Sequence, residues 1–486
     1  MDLKKLTLLH SNDMHGDFLA ENIDDKLVGG VSMLSGFIAK TRAEERNVIY
    51  AIAGDMFRGS VIDSEYKGLS TIEIMNMLAP DVVTIGNHEA DYGLAHLLFL
   101  EKCAGFPIVN ANLRAKPTGS RLFTPCHVLR KDGLRILFIG VITEEILAEA
   151  QKDEDFGSLI EVTDAAREVA GVCAACRGSE PDLTVLLTHI GVEADKKLAA
   201  ELDPACGVDI IIGGHSHTVM EQPLKVNDIL IVQAGTGTDY IGRFDLEIDA
   251  VKNSVSSWQW RLEPIEAGRC PRDEALEKLI TGYKSATDKK YGRVVTRLAR
   301  ELTHPRRNME TELGDLFCDL LTDSLGVDAM LLASGSLRLP KLGPIVTFGR
   351  LEEIFPFKDK VCQFKLTGAQ LRRVMTYLMR DEMFAGATEF YQLPRALRLR
   401  YSRGAHKLTS LTFKGAEVRD GQSFTLAAAG FHFSCAEQSW GLTREEFAAL
   451  QPPKVIAGSD FQVVEEYLSS HQNLDARTDG RISIED

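Results

Sequence analysis

Short runs of apolar residues, each ending in polar or glycine-rich sequence, recur through the first 250 residues of the chain. Runs of this length, rich in β-branched residues, are typical of buried strands. Helical patterns stand between several of them, and strand alternating with helix predicts an α/β domain. The predicted strands are Leu6–Leu9, Val48–Ala53, Val82–Ile85, Pro107–Val109, Arg135–Ile142, Leu183–Leu187, Ile210–Ile212 and Ile229–Val232, and the predicted helices include Val31–Glu45, Ser70–Leu78 and Leu94–Cys103.

The pattern changes near residue 270. The amphipathic segment Arg272–Lys290 starts after Pro271, contains no further proline and predicts a helix that connects two domains. The remainder mixes helical patterns (Glu310–Leu325, Thr367–Arg380) with strand patterns (Leu397–Tyr401, Leu408–Phe413, Ser423–Ala428). We therefore expect a first domain over residues 1–268, a linker helix over 269–291 and a second domain over 292–486.

Length and composition are consistent with this division. A chain of 486 residues is long enough for two or three domains, and 44% hydrophobic with 26% charged residues indicates a folded protein. The net charge of −15 argues against a non-specific nucleic-acid binder. We find no stretch that approaches 18 uninterrupted apolar residues and no apolar signal segment after Met1, so we expect no membrane span and a cytoplasmic location.

The nine cysteines do not suggest a disulfide framework, because they are odd in number and scattered through a long chain. Cys173 and Cys176 form a C-x-x-C pair, but they lie in a predicted helix, Asp164–Arg177. No second such pair follows at the spacing of a zinc site. We expect ordinary helix packing there, with metal or redox chemistry as the alternative.

Polar residues suited to binding a metal stand after five of the predicted strands. In an open α/β sheet, ligands bind beyond the carboxyl ends of the strands, so these residues should lie in one region. A single short motif, such as Asp-x-His, is usually incidental, whereas five such motifs, each at the end of an apolar run, are hard to explain by chance. The candidate ligands are Asp13, His15, Asp55, Asn87, His189, His215 and His217, whereas the remaining histidines (apart from His88, discussed below) are expected to serve packing or solvation: His10, His96, His127, His304, His406, His432 and His471.

Seven ligands exceed the needs of one ion and suit two divalent ions that share one carboxylate. The absence of thiolates favours Mn, Zn, Fe, Co or Mg, and the imidazoles argue against Ca. The sequence therefore predicts a two-metal centre in the first domain.

The ordered series Asn-Asp-x-His-Gly, Gly-Asp, Gly-Asn-His-Glu-x-Asp, Thr-His and Gly-Gly-His-Ser-His resembles the dinuclear metallophosphoesterases and, within them, the 5′-nucleotidase family. The resemblance extends over nearly the whole chain. It implies an α/β (α+β) protein with a four-layer metallophosphoesterase β-sandwich flanked by helices, a linker helix, and a mixed α/β C-terminal domain that binds substrate. It also implies one metal held by Asp13, His15, Asp55 and His217, and a second held by Asp55, Asn87, His189 and His215.

The same resemblance implies a catalytic dyad of His88 and Asp91. His88 stands next to Asn87 and can hydrogen-bond a phosphoryl oxygen or protonate the leaving oxygen. Asp91, three residues on, can reach the other ring nitrogen and fix its orientation. The alternative for His88 is a structural role beside the metals. The expected chemistry is in-line attack on phosphorus by a metal-bound water or hydroxide.

For the second domain, the resemblance implies that Arg307, Arg338 and Phe357 contact the substrate, with Phe357 stacking on a base. The Gly-Gly-Asp-Gly run that precedes the family's second aromatic is lost, and Ser334 replaces an asparagine of the family's Asn-Gly-Gly-x-Arg loop. Trp440 is the candidate for the second ring, with core packing as the alternative.

The ligand set predicts hydrolysis of a phosphate ester, and the resemblance implies that nucleoside 5′-monophosphates are hydrolysed to nucleoside and phosphate. The expected partner is a small phosphate ester, not a nucleic-acid polymer or a membrane. One alternative is a phosphodiesterase that acts on 2′,3′-cyclic nucleotides or nucleotide sugars with the same metals. The other is a binding protein for an anionic ligand with little turnover, which would have no need of His88 and Asp91.

Overall fold

The computed structural model describes residues 3–23, 25–147, 157–386, 388–450 and 452–485. The chain divides into two compact units, Met1–Thr287 and Asp288–Asp486, and the helix Glu274–Tyr291 contains the division.

The first unit is built around two six-stranded sheets. Its strands are β1 (Leu3–Ser11), β2 (Glu21–Ile23), β3 (Lys26–Val28), β4 (Val48–Ala53), β5 (Val82–Thr84), β6 (Ile108–Val109), β7 (Leu113–Ala115), β8 (Cys126–Lys131), β9 (Leu134–Ile142), β10 (Ile160–Val162), β11 (Leu183–His189), β12 (Ile210–Ile212), β13 (Leu224–Val226), β14 (Ile229–Val232), β15 (Tyr240–Asp249) and β16 (Ser254–Pro264). Its helices are α1 (Val31–Glu44), α2 (Val61–Glu65), α3 (Leu69–Leu78), α4 (Leu94–Cys103), α5 (Ala165–Cys176), α6 (Val192–Glu201) and α7 (Glu274–Tyr291). The strand orders are β16-β15-β1-β4-β5-β6 and β13-β14-β12-β11-β9-β8.

The two sheets pack face to face and helices cover their outer faces. Along β9, Ile136 and Phe138 point into the core between the sheets, whereas Leu137 and Ile139 pack with α5 and α6. This alternation follows from the two-residue repeat of a strand, and burial on both faces explains the continuous apolar runs. The helices α1, α3 and α4 cover the first sheet in the same way. The result is a four-layer β-sandwich flanked by helices.

The five strands that precede the candidate ligands belong to two sheets, not to one open sheet. The strands β1, β4 and β5 are neighbours in the first sheet, and β11 and β12 are neighbours in the second. The long hairpin β15–β16 was not among the predicted strands. It completes the first sheet because β15 pairs antiparallel with β1, for example Leu6 with Leu246.

The second unit contains two four-stranded sheets, ordered β19-β28-β23-β29 and β27-β26-β25-β30, and several two-stranded pairs. Its strands are β17 (Val294–Arg297), β18 (Leu302–Thr303), β19 (Ala329–Met330), β20 (Leu332–Ala333), β21 (Lys341–Leu342), β22 (Ile345–Thr347), β23 (Val361–Thr367), β24 (Tyr391–Gln392), β25 (Leu397–Ser402), β26 (Lys407–Phe413), β27 (Ala416–Glu417), β28 (Ser423–Ala429), β29 (Lys454–Ala457) and β30 (Ile482–Glu485). Its helices are α8 (Glu312–Leu325), α9 (Phe348–Ile354), α10 (Gly368–Leu378), α11 (Asp381–Phe384), α12 (Phe431–Ser434), α13 (Ala436–Trp440), α14 (Arg444–Ala448) and α15 (Asp460–Ser470).

All nine cysteines lie in the described ranges and are free thiols, as expected. Among the described residues, no helix combines the length and the apolar character needed to cross a membrane. The cytoplasmic location stays a prediction from the sequence.

Candidate metal centre

The seven candidate ligands lie together at the carboxyl ends of five strands in the first unit. Each of β1, β4, β5 and β12 leads directly into a loop that carries one or two of them, and β11 ends on one. In chain order they are Asp13 and His15 after β1, Asp55 after β4, Asn87 after β5, His189 at the end of β11, and His215 and His217 after β12.

Five of the seven form two overlapping groups. Asp13, His15 and His217 offer ligand atoms within 4.8 Å of one another, and so do Asp13, Asp55 and His189. The Nε2 atoms of His15 and His217 are 3.0 Å apart, and His217 Nε2 is 3.4 Å from Asp13 Oδ1. Asp55 Oδ2 is 3.0 Å from His189 Nε2 and 3.9 Å from His15 Nε2. Asp55 of the second group thus also approaches His15 of the first, and Asp13 belongs to both groups.

Asn87 and His215 form a third contact beside these groups. The Asn87 Oδ1 atom is 3.0 Å from His215 Nδ1. The backbone N–H of His215 donates to both carboxylate oxygens of Asp13, at 3.0 and 2.9 Å. The His88 N–H donates to Asp55 Oδ1 at 2.9 Å. These bonds fix the two carboxylates relative to the loops that carry the imidazoles.

One ring nitrogen of His189 is directed at the two buried carboxylates of the centre. Its Nδ1 is 2.8 Å from the carbonyl oxygen of Ala53, and its Nε2 is buried without a hydrogen-bond partner in that part of the chain. Nε2 lies 3.0 Å from Asp55 Oδ2, but the ring direction does not satisfy a hydrogen bond. A buried nitrogen aimed between two carboxylates is the arrangement expected of a ligand to a cation.

The electrostatics of the pocket agree with that interpretation. Burial lowers the pKa of His189, but the negative charges of Asp55 and Asp13 outweigh this effect and raise the pKa to about 9. Asp13 and Asp55 are almost completely buried. Two buried carboxylates are unfavourable unless a cation compensates them. The charges that favour a proton on His189 would also favour a divalent cation.

The backbone of the ligand loops is strained. Five of the candidate ligands have positive φ angles of 48° to 77°, a region that residues other than glycine rarely occupy. Such strain persists where the surroundings hold it, and it concentrates at functional sites. The five residues are Asp13, His15, Asp55, His215 and His217.

His88 and Asp91 form a contact at the edge of this centre. The His88 Nδ1 atom is 3.1 and 3.2 Å from the two carboxylate oxygens of Asp91. Hydrogen bonding to Asp91 raises the pKa of His88, and burial opposes that rise. Arg58 was not among the predicted site residues. Its Nη1 atom lies 3.2 Å from Asp91 Oδ2 and 3.0 Å from His88 Nδ1. Its side chain is 55% exposed.

In the second unit, three of the predicted substrate residues are exposed. The guanidinium of Arg338 lies 5.0 Å from the centre of the Phe357 ring, which is 43% exposed. Glu389 accepts a hydrogen bond from the Gly335 N–H at 2.7 Å. Burial raises the pKa of Glu389, and the charges of Arg307 and Arg338 act against that rise. Both arginines therefore lie near one carboxylate.

Trp440 is a core residue, which corrects its assignment as a candidate ring for the substrate. It is 1% exposed and stacks on Phe364 with ring centres 5.0 Å apart. Phe431 is instead 68% exposed, and its backbone N–H donates to Asp359, two residues after Phe357. The loss of the family's glycine-rich run obscured Phe431 in the sequence.

Two family models match the chain. Residues 6–219 match the calcineurin-like phosphoesterase model, and residues 290–439 match the model of the 5′-nucleotidase C-terminal domain. The chain belongs to the 5′-nucleotidase family. All seven candidate ligands fall within the first match, and Arg307, Arg338 and Phe357 fall within the second.

Relatives of this family match the chain over most of its length. The 5′-nucleotidase-related protein of Glossina morsitans morsitans is 25% identical over an alignment of 544 positions, gaps included, that covers 99% of this chain and 95% of that protein. Protein UshA of Escherichia coli is 25% identical over an alignment of 478 positions, gaps included, that covers 88% of this chain and 85% of that protein. The crystal structure of a 5′-nucleotidase precursor from Thermus thermophilus has the same fold, with a TM-score of 0.58 and 22% identity over 99% of both chains.

A calcineurin-like phosphoesterase domain joined to a 5′-nucleotidase C-terminal domain makes this protein a metal-dependent hydrolase of phosphoric esters. The family implies nucleotide phosphate esters as substrates and divalent metals as cofactors. The candidate ligand groups described above are consistent with such metals.

Other residues of the first unit support the ligands and were not predicted. The buried carboxylate of Glu89 accepts hydrogen bonds from the backbone N–H groups of Asp55, Met56 and Gly86. Burial, followed by the charge of Asp55, raises the pKa of Glu89 to about 7. Its position inside the Gly-Asn-His-Glu motif was the one available signal.

The loop of His215 and His217 rests on a second pair of polar residues. Gln233 accepts hydrogen bonds from the Ser216 hydroxyl at 3.0 Å and the Thr218 N–H at 3.2 Å. Asp195, fully buried on α6, accepts from the Thr188 hydroxyl at 2.6 Å and from Gln233 at 3.4 Å. The local sequence around Asp195 and Gln233 carries no motif that could have revealed them.

Proposed function

We propose that this protein hydrolyses nucleoside 5′-monophosphates to nucleoside and inorganic phosphate with two divalent cations bound among the seven candidate ligands. The observation that carries the proposal is the convergence of buried carboxylates and imidazole nitrogens on one another, above all the unpartnered His189 Nε2 between Asp13 and Asp55. The two overlapping ligand groups support two ions better than one.

The donor set suits such cations. Carboxylate, carboxamide and imidazole ligands without thiolate favour Mn, Zn, Fe, Co or Mg. We propose that Asp13, His15, Asp55 and His217 hold one ion and that Asp55, Asn87, His189 and His215 hold the other. Cations bound there would supply Lewis-acid charge to the phosphoryl oxygens and activate a water for in-line attack.

His88, Asp91 and Arg58 would act on the phosphoryl group from the edge of the centre. Asp91 holds Nδ1 of His88, which leaves Nε2 to hydrogen-bond a phosphoryl oxygen or to protonate the leaving oxygen. Arg58 adds a half-exposed positive charge within 3.2 Å of Asp91. A guanidinium at this position is suited to a phosphoryl oxygen.

We propose that the second unit binds the nucleoside. It has a cavity of about 520 Å³ whose lining includes Glu389 and Phe431. Phe357 and Phe431 are exposed aromatic rings, and the Phe431 N–H donates to Asp359, two residues after Phe357. Arg307 and Arg338 supply positive charge near Glu389. Exposed rings of this kind stack on bases.

In this proposal residues 1–268 form the catalytic domain, 269–291 the linker helix and 292–486 the substrate-binding domain. The matches of residues 6–219 and 290–439 to the two family models support this assignment.

A substrate and metal panel tests the function. Metal-stripped protein is reloaded with Mn, Mg, Zn or Co and assayed on AMP, 2′,3′-cyclic AMP, UDP-glucose and p-nitrophenyl phosphate. We expect metal-dependent phosphate release with AMP as the preferred substrate. A preference for the cyclic nucleotide or for UDP-glucose would instead identify a phosphodiesterase, and stoichiometric nucleotide binding without phosphate release would identify a binding protein.

The matched variants are Asp55→Ala and Asp228→Asn. Asp228 is an exposed carboxylate in the turn after β13 and should be dispensable. The Asp55→Ala variant should lose metal and nearly all activity. Full metal content and activity in Asp55→Ala would refute the proposed centre.

A further inference from the structure

Asp63 is a completely buried aspartate of the short helix α2, which follows the loop that carries Asp55 and Arg58. Its carboxylate accepts three hydrogen bonds, and the donors lie in three different segments of the first unit. They are the backbone N–H of Arg58, the hydroxyl of Tyr92 and the hydroxyl of Thr71. A buried carboxylate is costly unless donors compensate it, so Asp63 and its donors hold one another in place.

The bond from Arg58 fixes the backbone of a strained residue. The Arg58 nitrogen lies 2.9 Å from Asp63 Oδ2, and Arg58 has a φ angle of 65°, which residues other than glycine rarely adopt. Strain of this kind persists only where the surroundings hold it. The fixed backbone sets the direction of the Arg58 side chain, whose Nη1 reaches His88 Nδ1 at 3.0 Å and Asp91 Oδ2 at 3.2 Å.

The bond from Tyr92 connects the same carboxylate oxygen to the loop after β5. The Tyr92 hydroxyl donates to Asp63 Oδ2 at 2.6 Å, and Tyr92 directly follows Asp91 in the chain. Burial, followed by the charge and the hydrogen bond of Asp63, raises the pKa of Tyr92, so its hydroxyl keeps the proton and stays a donor. One oxygen of Asp63 therefore holds both Arg58 and the neighbour of Asp91.

The three donors to Asp63 do not include a candidate metal ligand. Glu89 accepts a hydrogen bond from the backbone N–H of the ligand Asp55, whereas Asp63 accepts one from Arg58, three residues further along the same loop. The Thr71 hydroxyl donates to the other oxygen of Asp63 and anchors it to α3. Two buried carboxylates thus hold different parts of one loop, and Asp63 holds the part beyond the metal ligand.

We propose that Asp63 is a positioning residue for the phosphoryl group, which it affects only by holding Arg58 against His88 and Asp91. This inference rests on the proposed function, because it takes Arg58 to contact a phosphoryl oxygen. A residue with a purely structural role would stabilise the unit but would not affect phosphate through one particular side chain. Two residues that act through the same contact have non-additive effects, which a double-mutant cycle measures.

The cycle consists of wild type, Asp63→Ala, Arg58→Ala and the double variant, each as the full chain loaded with metal. The measurements are the affinity for inorganic phosphate by calorimetry, and kcat and KM for p-nitrophenyl phosphate. Asp63→Ala alone should weaken phosphate binding by about 10-fold and lower kcat/KM by about 10- to 100-fold, with unchanged metal content. In the Arg58→Ala background the same substitution should change either quantity by no more than about two-fold.

Three further variants separate positioning from loss of the fold. Asp63→Asn keeps an oxygen for Arg58 and Tyr92 while its amide can donate to the Thr71 hydroxyl, so its phosphate affinity should lie between those of Asp63→Ala and wild type. Tyr92→Phe removes a single donor and should weaken phosphate binding by about 2- to 5-fold.

Asp182→Ala is the matched control for a buried aspartate of the first unit. Asp182 is 2% exposed and accepts the Arg135 N–H at 2.7 Å, next to the start of β11 and thus at the opposite end of that strand from His189. Its substitution should lower the stability of the protein but leave the phosphate affinity of the folded, metal-loaded form unchanged.

Additive losses from Asp63→Ala and Arg58→Ala would overturn the proposal, and so would wild-type phosphate affinity in a folded Asp63→Ala variant. Loss of metal together with phosphate affinity would identify Asp63 as a structural residue of the whole centre. If Asp63→Ala does not fold, Tyr92→Phe takes its place in the cycle, and additive losses there overturn the proposal equally. A metal-loaded wild type that neither binds phosphate nor hydrolyses an ester would refute the proposed function and this inference with it. That result is seen before any variant is compared, so the two failures are distinguishable.

Discussion

His10 and His189 are both fully buried in the first unit, but their surroundings shift the pKa in opposite directions. His189 faces two carboxylates, which raise its pKa to about 9 against the effect of burial. His10 stacks on Trp260, and neither ring nitrogen finds a hydrogen-bond partner among the described residues. Burial alone lowers its pKa to about 3. The partner, not the burial, decides which histidine suits a cation centre.

His10 should make the first unit sensitive to acid. The unfolded chain binds a proton at this residue near pH 6.5 and the folded chain near pH 3, so the free energy of unfolding falls as the pH drops below about 6.5. At pH 5 the expected loss is about 2 kcal/mol. His10→Leu should remove this contribution, whereas the exposed control His406→Leu should not. Urea denaturation of metal-free protein at pH 7 and pH 5 measures it, and an unchanged pH dependence in His10→Leu would contradict it.

Among His88, Asp91 and Arg58 at the edge of the centre, Arg58 is the residue whose charge can be tested most directly by substitution. If it contacts a phosphoryl oxygen, Arg58→Ala should lower kcat/KM for AMP by about 10- to 150-fold, since a charged hydrogen bond contributes about 1.5–3 kcal/mol. Arg58→Lys should recover part of the loss through its charge but not the paired geometry. Metal content should not change. Equal loss in both variants together with lost metal would show that Arg58 has a structural role instead.

At the scale of elements, the loop after β12 shows how a ligand pair depends on residues outside its own segment. The loop carries His215 and His217, and its polar groups are held by Gln233, one residue beyond β14. Gly214 at the start of the loop approaches its neighbours closely: a Cβ there would lie 2.6 Å from the Ala53 carbonyl oxygen. The position of the loop is therefore set by three strands together.

Gln233→Ala should loosen this loop without removing a ligand. The Ser216 hydroxyl and the Thr218 N–H would lose their acceptor, and we expect metal affinity to fall by about 10- to 100-fold. Excess metal in the assay should restore much of the activity, which separates a positioning role from a catalytic one. Gln222→Ala, at an exposed position, is the control. Wild-type metal affinity in Gln233→Ala would refute the prediction.

The sequence predicts those elements whose pattern is local. The strands β4, β12 and β14 coincide with their apolar runs because every residue in them is buried. The hairpin β15–β16 is harder to predict because its exposed face is polar, and its pairing with β1 joins residues more than 200 positions apart. For the same reason the local pattern predicts the five strand ends, whereas only the family resemblance, through the β-sandwich that it implies, indicates that these strands belong to two sheets.

At the scale of the molecule, the net charge of −15 does not describe the site. Asp13 and Asp55 are buried negative charges that favour cations, whereas Arg58, Arg307 and Arg338 lie on exposed parts of the two units. The overall charge disfavours polyanions at the surface, and these local groups favour a small phosphate ester.

The family resemblance implies a second aromatic ring at the substrate site, but the packing of the second unit decides which aromatic side chain is exposed there. Phe431 is exposed and borders a cavity, whereas Trp440 is enclosed by Phe364 and Phe433. Exposure cannot be deduced from residue type, because both are large aromatic side chains in one short segment. The helices α12 and α13 place the Trp440 side chain in the core and leave the Phe431 side chain exposed.

Phe431→Ala should therefore weaken the selection of nucleotides without harming the chemistry. Stacking on a base is worth about 1–3 kcal/mol, so the ratio of kcat/KM for AMP to that for p-nitrophenyl phosphate should fall by about 5- to 150-fold. The rate on p-nitrophenyl phosphate should stay near that of the wild type, because this substrate has no base to stack. Phe99→Ala, an exposed ring on α4, is the matched control and should leave the ratio unchanged. Equal losses on both substrates would mean that Phe431 supports the fold of the second unit, and an unchanged ratio would mean that Phe431 does not contact the base.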